Sequence, residues 1–367
     1  MFTIENDPRV VLTLDAGGTN FRFSAMRSGK PVVSGVHFPS YGDQLELCLG
    51  NMIRGFEEVR RQCPEPPVAI SFAFPGPADY PNGIIGDLGN LPGFRGGVPL
   101  GPMLQEKFGI PVFLNNDGDL FAYGEAIGGI LPQINARLEE AGSPKRFKNL
   151  FGMTLGTGLG GGIVRDGRLF VGDNSVAAEV WTLRHKLEPT MNAEEGACIR
   201  AVRRAYSEAT GIPITETPEP KDIFAISRGE SEGDQAAAKR AFESIGEIAG
   251  DVMATALTLI DGIGVIGGGV SGAWPAFLPS LIAEMNSNFT GPGGNTFRRM
   301  PTRAFNLEDE EDLGLFLKGD SREIGIPGSD LKVLYDPLQR VGVGVSRLGT
   351  SEAIGLGAYA FALQQLG

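Results

Sequence analysis

Four glycine-containing segments, each flanked by apolar and β-branched residues, constrain the fold of this chain more than any other feature. They are LTLDAGGTNFRF at residues 12–23, FLNNDGDLFAYGE at 113–125, GMTLGTGLGGGIV at 152–164 and GVIGGGVSG at 264–272. Glycine has no Cβ atom, so backbone N–H groups in such turns can approach an anion closely. Each segment alone also suits an ordinary turn, and the order of the four carries most of the information.

The alternation of strand and helix patterns predicts an α/β fold. Residues 10–23 and 150–164 both indicate a strand, a glycine turn and a second strand, and a long amphipathic helix is predicted over 239–260. A chain of 367 residues exceeds the size of most single cores, so we expect two domains. We place the first at 1–117 plus 352–367 and the second at 118–351, with an insertion over 291–334.

Composition argues against several classes of protein. Lys and Arg total 32 against 44 for Asp and Glu, a net charge of -12 without a basic run, so nucleic acid is not an expected partner. The chain shows neither a signal-peptide pattern nor 18 consecutive apolar residues, and we expect no membrane association. Cys48, Cys63 and Cys198 form no CxxC pair, which fits a reducing, cytoplasmic location.

The first glycine turn suits phosphate binding. Asp15 precedes Gly17, Gly18 and Thr19, a pattern in which the loop contacts the β- and γ-phosphates of a nucleotide and the carboxylate holds hydrated Mg²⁺. An ordinary hairpin turn is the alternative.

The second and third turns extend the same pattern. Residues 156–162 contain five glycines. In regular structure each glycine is destabilising by about 0.5–1 kcal/mol relative to alanine. A second phosphate loop would explain Gly156, Thr157, Gly158 and Gly160, and a glycine-rich bulge or barrel corner is the alternative. The run Gly267, Gly268 and Gly269 either admits an adenosine near a helix N-terminus or forms a tight turn between strand and helix.

A carboxylate at a strand end is the candidate for acid–base chemistry. Asp117 follows a predicted strand and could deprotonate an acceptor hydroxyl, while Asn116 holds a neighbouring one. Helix capping by Asp117 or Asp119 is the alternative. Only two histidines occur, which leaves few candidates for mechanisms based on Ser–His or Cys–His pairs.

Taken in this order, the motifs resemble the ROK family of the actin-like, hexokinase-like ATPase superfamily, over residues 12–361 except 291–334. The resemblance implies two actin-like (ribonuclease H-like) domains with a cleft between them. It also implies that residues 15–19 and 156–162 contact phosphates, that 267–269 lie at the nucleoside, and that Asp117 is the catalytic base. Pro75-Gly76 and residues 90–93 match sugar-pocket elements, so Gly76, Asn90 and Asn116 are expected to bind the sugar.

Two departures from the family pattern concern zinc. The family's E-x-G-H signature is here EVWT, which keeps the sugar-binding Glu179 but has Thr182 in place of the histidine that binds sugar and zinc. The cysteine-rich loop that follows retains only Cys198, so we expect no structural zinc. Glu194 aligns with a second sugar-contacting glutamate. His185 is either a replacement for the missing imidazole or a solvated residue.

The leading hypothesis from the resemblance is a glucokinase-like enzyme that uses ATP and Mg²⁺ to phosphorylate a hydroxyl, expected to be O6, of a hexose or N-acylhexosamine. A non-catalytic sugar-binding protein is one alternative, against which Asp117 and the three glycine turns argue. A sugar-sensing regulator is another, but such relatives carry a DNA-binding domain ahead of the first loop, and only fourteen residues precede Asp15 here. Relatives are often dimers, so a homodimer is expected.

Overall fold

The computed structural model describes residues 4–17, 19–76, 78–86 and 91–367. Strands and helices alternate along it, as the sequence pattern predicts. In chain order the elements are β1 (Val11–Ala16), β2 (Asn20–Arg27), β3 (Lys30–Pro31), β4 (Val36–Pro39), α1 (Leu45–Gln62), β5 (Ala69–Ala73), β6 (Ala78–Asp79), β7 (Ile84–Ile85), α2 (Leu100–Phe108), β8 (Val112–Asn115), α3 (Asp117–Gly128), α4 (Ile130–Glu140), β9 (Leu150–Leu155), β10 (Leu159–Arg165), β11 (Arg168–Phe170), α5 (Ile199–Thr210), α6 (Pro220–Ser227), α7 (Gln235–Ile260), β12 (Ile263–Gly267), α8 (Trp274–Met285), β13 (Asn288–Thr290), β14 (Thr296–Arg298), β15 (Arg303–Asn306), α9 (Glu310–Lys318), β16 (Arg322–Gly325), β17 (Lys332–Tyr335), β18 (Arg340–Val345) and α10 (Thr350–Leu366). Short 3-10 helices lie at Pro92–Phe94, Val180–Thr182, Ala193–Gly196 and Ser271–Ala273.

The chain divides into two compact units, in the α/β architecture that the sequence predicts. The first comprises Met1–Gly129, Gly162–Ala178 and Leu348–Gly367, and the second Ile130–Gly161 and Glu179–Arg347. The domain limits predicted from the sequence stay a prediction. Within the described ranges, no helix is both long and apolar enough to cross a membrane. The three cysteines are free thiols, and a cytoplasmic location also stays a prediction.

The first sheet has the strand order β3-β2-β1-β5-β8, and β4 pairs with β2. Strands β1, β5 and β8 are parallel, so their carboxyl ends lie at the same edge. One face carries an apolar core in which Phe23, Phe56 and Phe72 are fully buried. The rings of Phe23 and Phe56 meet edge to face, with centroids 5.0 Å apart.

Helices α3 and α10 approach each other at glycines. A Cβ atom on Gly124 would lie 1.9 Å from the carbonyl oxygen of Ala353, and one on Gly357 would lie 2.0 Å from that of Leu120. Contacts this short exclude any side chain at either position. The glycine- and alanine-rich sequence of α10 is therefore explained by close packing, as its composition predicts.

The second sheet has the strand order β11-β10-β9-β12-β18-β15. Strands β9, β12, β18 and β15 are parallel. Helix α7 begins at Gln235 rather than at the predicted residue 239, because the side chain of Asp234 caps it by accepting the N–H of Ala237 at 2.8 Å. It packs closely on α8, where a Cβ on Gly246 would lie 2.0 Å from Ser280 Oγ.

Residues 291–334, predicted as an insertion, contain regular structure. Strand β15 pairs in parallel with β18, and its Phe305 is fully buried, so this part of the segment belongs to the second sheet. Two separate hairpins, β13 with β14 and β16 with β17, flank it. A strand as short as Arg303–Asn306 gives too little periodicity to be recognised from sequence. The description of the segment as an insertion stays a prediction.

Candidate active site

Asp117 is the first residue of α3, directly after β8. The helix cap is Asn116, whose Oδ1 accepts the N–H of Gly118 at 2.8 Å, and Asp117 Oδ1 accepts the same N–H at 2.9 Å. Capping by Asp117 or Asp119 is the alternative from sequence, and the structure gives that position to Asn116. Burial raises the pKa of the Asp117 carboxyl, and the hydrogen bond from Gly118 partly offsets this.

Asp117 is exposed at the protein surface, although many protein atoms surround its carboxyl group. An acceptor hydroxyl can therefore reach the carboxylate. A carboxylate in less polar surroundings binds a proton more strongly than one in water. Its position at the helix N-terminus favours the charged form that a base requires. The arrangement suits a general base.

Asp15 lies near the end of β1 with an exposed side chain, directly opposite Arg22 in the pairing of β1 with β2. Both residues line a cavity of about 410 Å³, together with Ser24 and Glu352. A larger cavity of about 1100 Å³, between α7 and α8, is lined by none of the predicted site residues. The strand β1 therefore borders, through Asp15, a space that mixes charged and hydroxyl groups.

The turn after β1 requires glycine at its first position. A Cβ on Gly17 would lie 2.9 Å from the carbonyl oxygen of Asn20, which is too close for any side chain. Thr19 is exposed. Gly18 lies outside the described residues. A tight turn is common to both hypotheses made from sequence, the phosphate loop and the ordinary hairpin.

Gly76 follows β5 and is exposed. A Cβ there would lie 3.0 Å from the hydroxyl oxygen of Tyr80. Because β1, β5 and β8 are parallel, Asp15, Gly76 and Asp117 all lie at the carboxyl-terminal edge of the sheet, where α/β folds bind ligands. Asn90, the other predicted sugar contact of this region, lies outside the described residues.

The second and third glycine turns lie side by side at the carboxyl ends of β9 and β12. The N–H of Val270 donates to the carbonyl of Leu155 at 2.9 Å, and a Cβ on Gly156 would lie 4.0 Å from the nitrogen of Gly269. The N–H groups of residues 157, 158 and 269 have no acceptor in the part of the chain that the structure describes. Unpaired N–H groups in neighbouring turns are suited to binding an anion.

Packing explains some of these glycines but not Gly156 or Gly269, where a Cβ would have only one other atom within 4.0 Å. A Cβ would come within 2.4–2.5 Å of another atom at Gly158, Gly160 and Gly162. Gly268 has φ +89°, and its Cβ would lie 2.4 Å from the carbonyl oxygen of Leu155. At Gly156 the nearest atom would be the nitrogen of Gly269, at 4.0 Å, so the fold itself has room for a methyl group there. The space beside Gly156 therefore suits a bound group.

The start of α5 and Glu194, shortly before it, hold the second turn in place. The N–H of Ile199 donates to the carbonyl of Gly156 at 2.8 Å, and Arg200 Nη1 donates to that of Thr157 at 2.7 Å. Glu194 Oε2 accepts the N–H of residue 159 at 3.0 Å, and Arg200 Nη2 lies 3.1 Å from Glu194 Oε1. Three hydrogen bonds and one ion pair thus fix the turn without using its open N–H groups.

The segment that replaces the family's zinc loop is organised differently. Glu179 accepts a hydrogen bond from the indole N–H of Trp181, and the Thr182 hydroxyl donates to the Glu179 carbonyl at 2.7 Å. His185 is buried rather than solvated. Its Nδ1 accepts the N–H groups of residues 187 and 188 at 3.2 and 3.0 Å. Burial, and then nearby Arg204, lowers its pKa. His185 therefore stabilises the turn at residues 185–188 by accepting these two hydrogen bonds.

Sequence reasoning missed two arginines. Arg22 lies on the face of β2 opposite the buried Phe21 and Phe23, and its alternation with them was the available signal. Arg200 gave no signal, because its partner Thr157 lies 43 residues away along the chain.

The residues present fit a hydrated Mg²⁺ and a nucleotide. Mg²⁺ keeps most of its waters and needs only one or two carboxylates besides the phosphates, and Asp15 offers one exposed carboxylate. Within the described residues, no group of three or more His, Cys, Asp or Glu side chains could hold a metal by itself. The open space at Gly156 is the feature that fits a phosphate.

Comparisons with known proteins identify the family of this chain. The model of the ROK family matches residues 11–303. The fold is similar to that of the glucokinase from Parabacteroides distasonis, with a TM-score of 0.91 and 52% identity over 99% of both chains. The sequence is 27% identical to the glucokinase of Thermotoga maritima over 56% of this chain and 64% of that protein. It is also 27% identical to the N-acetyl-D-glucosamine kinase of Vibrio parahaemolyticus, over 70% of this chain and 83% of that protein.

Proposed function

The chain belongs to the ROK family, and we propose that it transfers the γ-phosphoryl group of ATP to O6 of a hexose, with glucose as the first candidate and an N-acylhexosamine as the second. That it is an ATP-dependent sugar kinase rests above all on the 52% identity, along nearly its whole length, to the glucokinase of Parabacteroides distasonis. The choice of O6 and of the sugar is the further step. A glucokinase and an N-acetyl-D-glucosamine kinase among the relatives support the two candidate acceptors.

Asp117 is the proposed general base. Its carboxylate takes the proton of the acceptor hydroxyl while that oxygen forms a bond to the γ-phosphorus. The bond from the γ-phosphorus to the bridging β,γ-oxygen breaks, and ADP leaves. Asn116 uses Oδ1 to cap α3, and its amide nitrogen is the group proposed to bind a neighbouring sugar hydroxyl.

The glycine turns are proposed to bind the nucleotide. Open N–H groups at residues 157, 158 and 269 donate to phosphate oxygens, and they need no rearrangement because the start of α5 already holds the turn. Gly17, Thr19 and residues 267–269 would contact the phosphates and adenosine. Mg²⁺, held through water by Asp15, would neutralise charge on the β- and γ-phosphates.

Glu179 and Glu194 are the proposed sugar contacts of the second unit. An ionised carboxylate can accept about four hydrogen bonds, so Glu194 can bind a sugar hydroxyl while it keeps the N–H of residue 159 and the ion pair with Arg200. Glu194 would then connect the sugar to the second phosphate turn. Gly76 and Asn90 complete the proposed sugar contacts.

An ADP-release assay tests this function directly. The purified chain is incubated with ATP, Mg²⁺ and a panel of glucose, mannose, fructose, allose, N-acetylglucosamine and N-acetylmannosamine. We expect sugar-dependent ADP release that EDTA and Asp117→Ala both abolish, and NMR of the product with phosphorus at O6. Sugar binding without ADP release across the panel would instead favour the non-catalytic sugar-binding protein.

A further inference from the structure

Trp181 is an exposed aromatic side chain beside a proposed sugar contact. It lies in the short helix Val180–Thr182, which directly follows Glu179, at the position where the family's E-x-G-H signature has glycine. Val180 is 8% exposed, whereas Trp181 is 40% exposed. The helix therefore turns Val180 toward the interior and leaves the indole ring in solvent, so core packing does not account for this tryptophan.

The polar end of Trp181 is bound to Glu179. Its indole N–H donates to Glu179 Oε2, and the Thr182 hydroxyl donates to the carbonyl of Glu179 at 2.7 Å. The bond from Trp181 uses one carboxylate oxygen, so Oε1 can accept a hydrogen bond from a ligand hydroxyl. A single exposed aromatic residue is common on protein surfaces, but this one also orients the carboxylate next to it.

The indole ring lies in the same region as the second proposed sugar carboxylate. The short helices Val180–Thr182 and Ala193–Gly196 pack against each other. A hydrogen bond fixes this arrangement, because the N–H of Ala193 donates to the carbonyl of Leu183 at 2.7 Å. Glu194 directly follows Ala193, and it also accepts an N–H of the second phosphate turn. The fold thus groups an exposed aromatic ring with two carboxylates in one part of the second unit.

Carboxylates beside an aromatic ring match the two kinds of surface on a pyranose sugar. Ionised carboxylates accept hydrogen bonds from the hydroxyl groups at the edge of the sugar. The C–H groups on a face of the sugar carry a partial positive charge, and the electron-rich face of the indole attracts them while both surfaces leave water. A tryptophan side chain has only two rotatable bonds, so ordering it on a ligand costs little conformational entropy.

We propose that Trp181 contacts the sugar and helps to determine which hexose binds. Its N–H orients Glu179, and its ring packs on a face of the pyranose whose axial positions all carry hydrogen. The inference rests on the proposed function, in which Glu179 and Glu194 are sugar contacts. An axial hydroxyl on the packed face would hold the two surfaces apart. Glucose is therefore preferred over allose if the ring packs on the face of C3 and C5, and over mannose and galactose if it packs on the face of C2 and C4.

Fluorescence tests the contact without catalysis. The chain has two tryptophans, Trp181 and Trp274, so in Trp274→Phe all tryptophan emission comes from Trp181. Titration of this variant with each sugar of the panel, without ATP, should change the emission saturably for the sugar that is the substrate. A variant that releases ADP with a sugar but shows no change in emission with it would contradict the contact.

Steady-state kinetics separate the ring from its N–H group. Trp181→Phe keeps an aromatic ring and removes the N–H, whereas Trp181→Ala removes both. We expect the KM for the sugar to rise about 3- to 10-fold in Trp181→Phe and about 10- to 100-fold in Trp181→Ala, with the KM for ATP within about twofold of wild type. Leu187→Ala is the matched control, because it removes a 52% exposed apolar side chain from the loop between the two short helices and should change neither constant. Circular dichroism and thermal unfolding check that each variant is folded.

The preference among epimers tests packing on the ring. Trp181→Ala should lower the ratio of kcat/KM for glucose over allose, or over mannose and galactose, about tenfold, and Trp181→Phe should keep most of it. Ratios that stay unchanged for all three epimers would refute the packing. Sugar-dependent ADP release with a sugar KM that Trp181→Ala leaves unchanged would overturn the inference while the kinase function stands. A saturable change in Trp181 emission without ADP release on any sugar would overturn the kinase function while the contact stands.

Discussion

The substitution Gly156→Ala tests whether the turn at this residue binds phosphate or contains glycine only because the fold requires it. Gly156 does not have a positive φ, and a Cβ there would meet only the nitrogen of Gly269, at 4.0 Å. Alanine should therefore fit the folded chain, and by restricting the unfolded chain it should raise the free energy of unfolding by about 0.4–1 kcal/mol. If a phosphate occupies this space, the methyl group displaces it.

The size of the effect follows from the hydrogen bonds that a displaced phosphate would no longer accept. One hydrogen bond to a charged group contributes about 1.5–3 kcal/mol, and 1.4 kcal/mol corresponds to a factor of ten. We expect Gly156→Ala to raise the KM for ATP about 10- to 100-fold and to leave the KM for the sugar nearly unchanged. Steady-state ADP release gives both constants, and urea unfolding gives the stability.

Two glycines nearby serve as controls. Gly268→Ala combines a positive φ, worth about 1–2 kcal/mol, with overlap on the Leu155 carbonyl, worth about 1–3 kcal/mol, so it should destabilise the fold. A Cβ on Gly272 would have no other atom within 4 Å, and this residue has no positive φ, so Gly272→Ala should raise the free energy of unfolding by about 0.4–1 kcal/mol, like Gly156→Ala, but leave the KM for ATP unchanged. Normal ATP kinetics in a stable Gly156→Ala variant would refute the assignment of this turn to phosphate.

Three further substitutions test other parts of the site. Asp117→Asn should lower kcat about 10²- to 10⁴-fold, because an amide cannot take the proton of the acceptor hydroxyl; a kcat near that of the wild type would contradict its role as base. Arg200→Gln should raise the KM for ATP and lower the free energy of unfolding by less than about 1 kcal/mol, since this side chain is half exposed. Arg200→Lys should restore part of the affinity for ATP. An equal loss of ATP affinity in both variants would point to a need for the guanidinium shape. The pKa of His185 is lowered from an ordinary 6.5, so below pH 6.5 the unfolded chain binds the proton more readily and the free energy of unfolding falls. In urea unfolding measured at several pH values, His185→Gln should make this fall smaller. An unchanged dependence on pH would assign the fall to other groups.

Local pattern was sufficient to predict the fold class and the main motifs. The strand, glycine turn and strand at β9 and β10, the helix that begins after Asn116, and the amphipathic α7 each extend over residues close in sequence. The side-chain periods of 2 and 3.6 residues are visible at that range, as are turn residues. The order of the motifs then indicated the ROK family, to which the chain belongs. The short strand β15 was not predicted, because it has too few residues to show a period.

Tertiary structure decided what the motifs touch. Sequence could not separate Gly156, which has open space, from Gly158, whose Cβ would meet Glu194, because that distinction depends on a residue brought from another part of the chain. Arg200 reaches Thr157 across 43 residues, and the exposure of the apolar side chains on β16 and β17 depends on what the rest of the chain leaves uncovered. Periodicity reports the direction of a side chain relative to its neighbours along the chain. Which residue that side chain contacts depends on the path of the whole backbone, and no short stretch of sequence specifies that path.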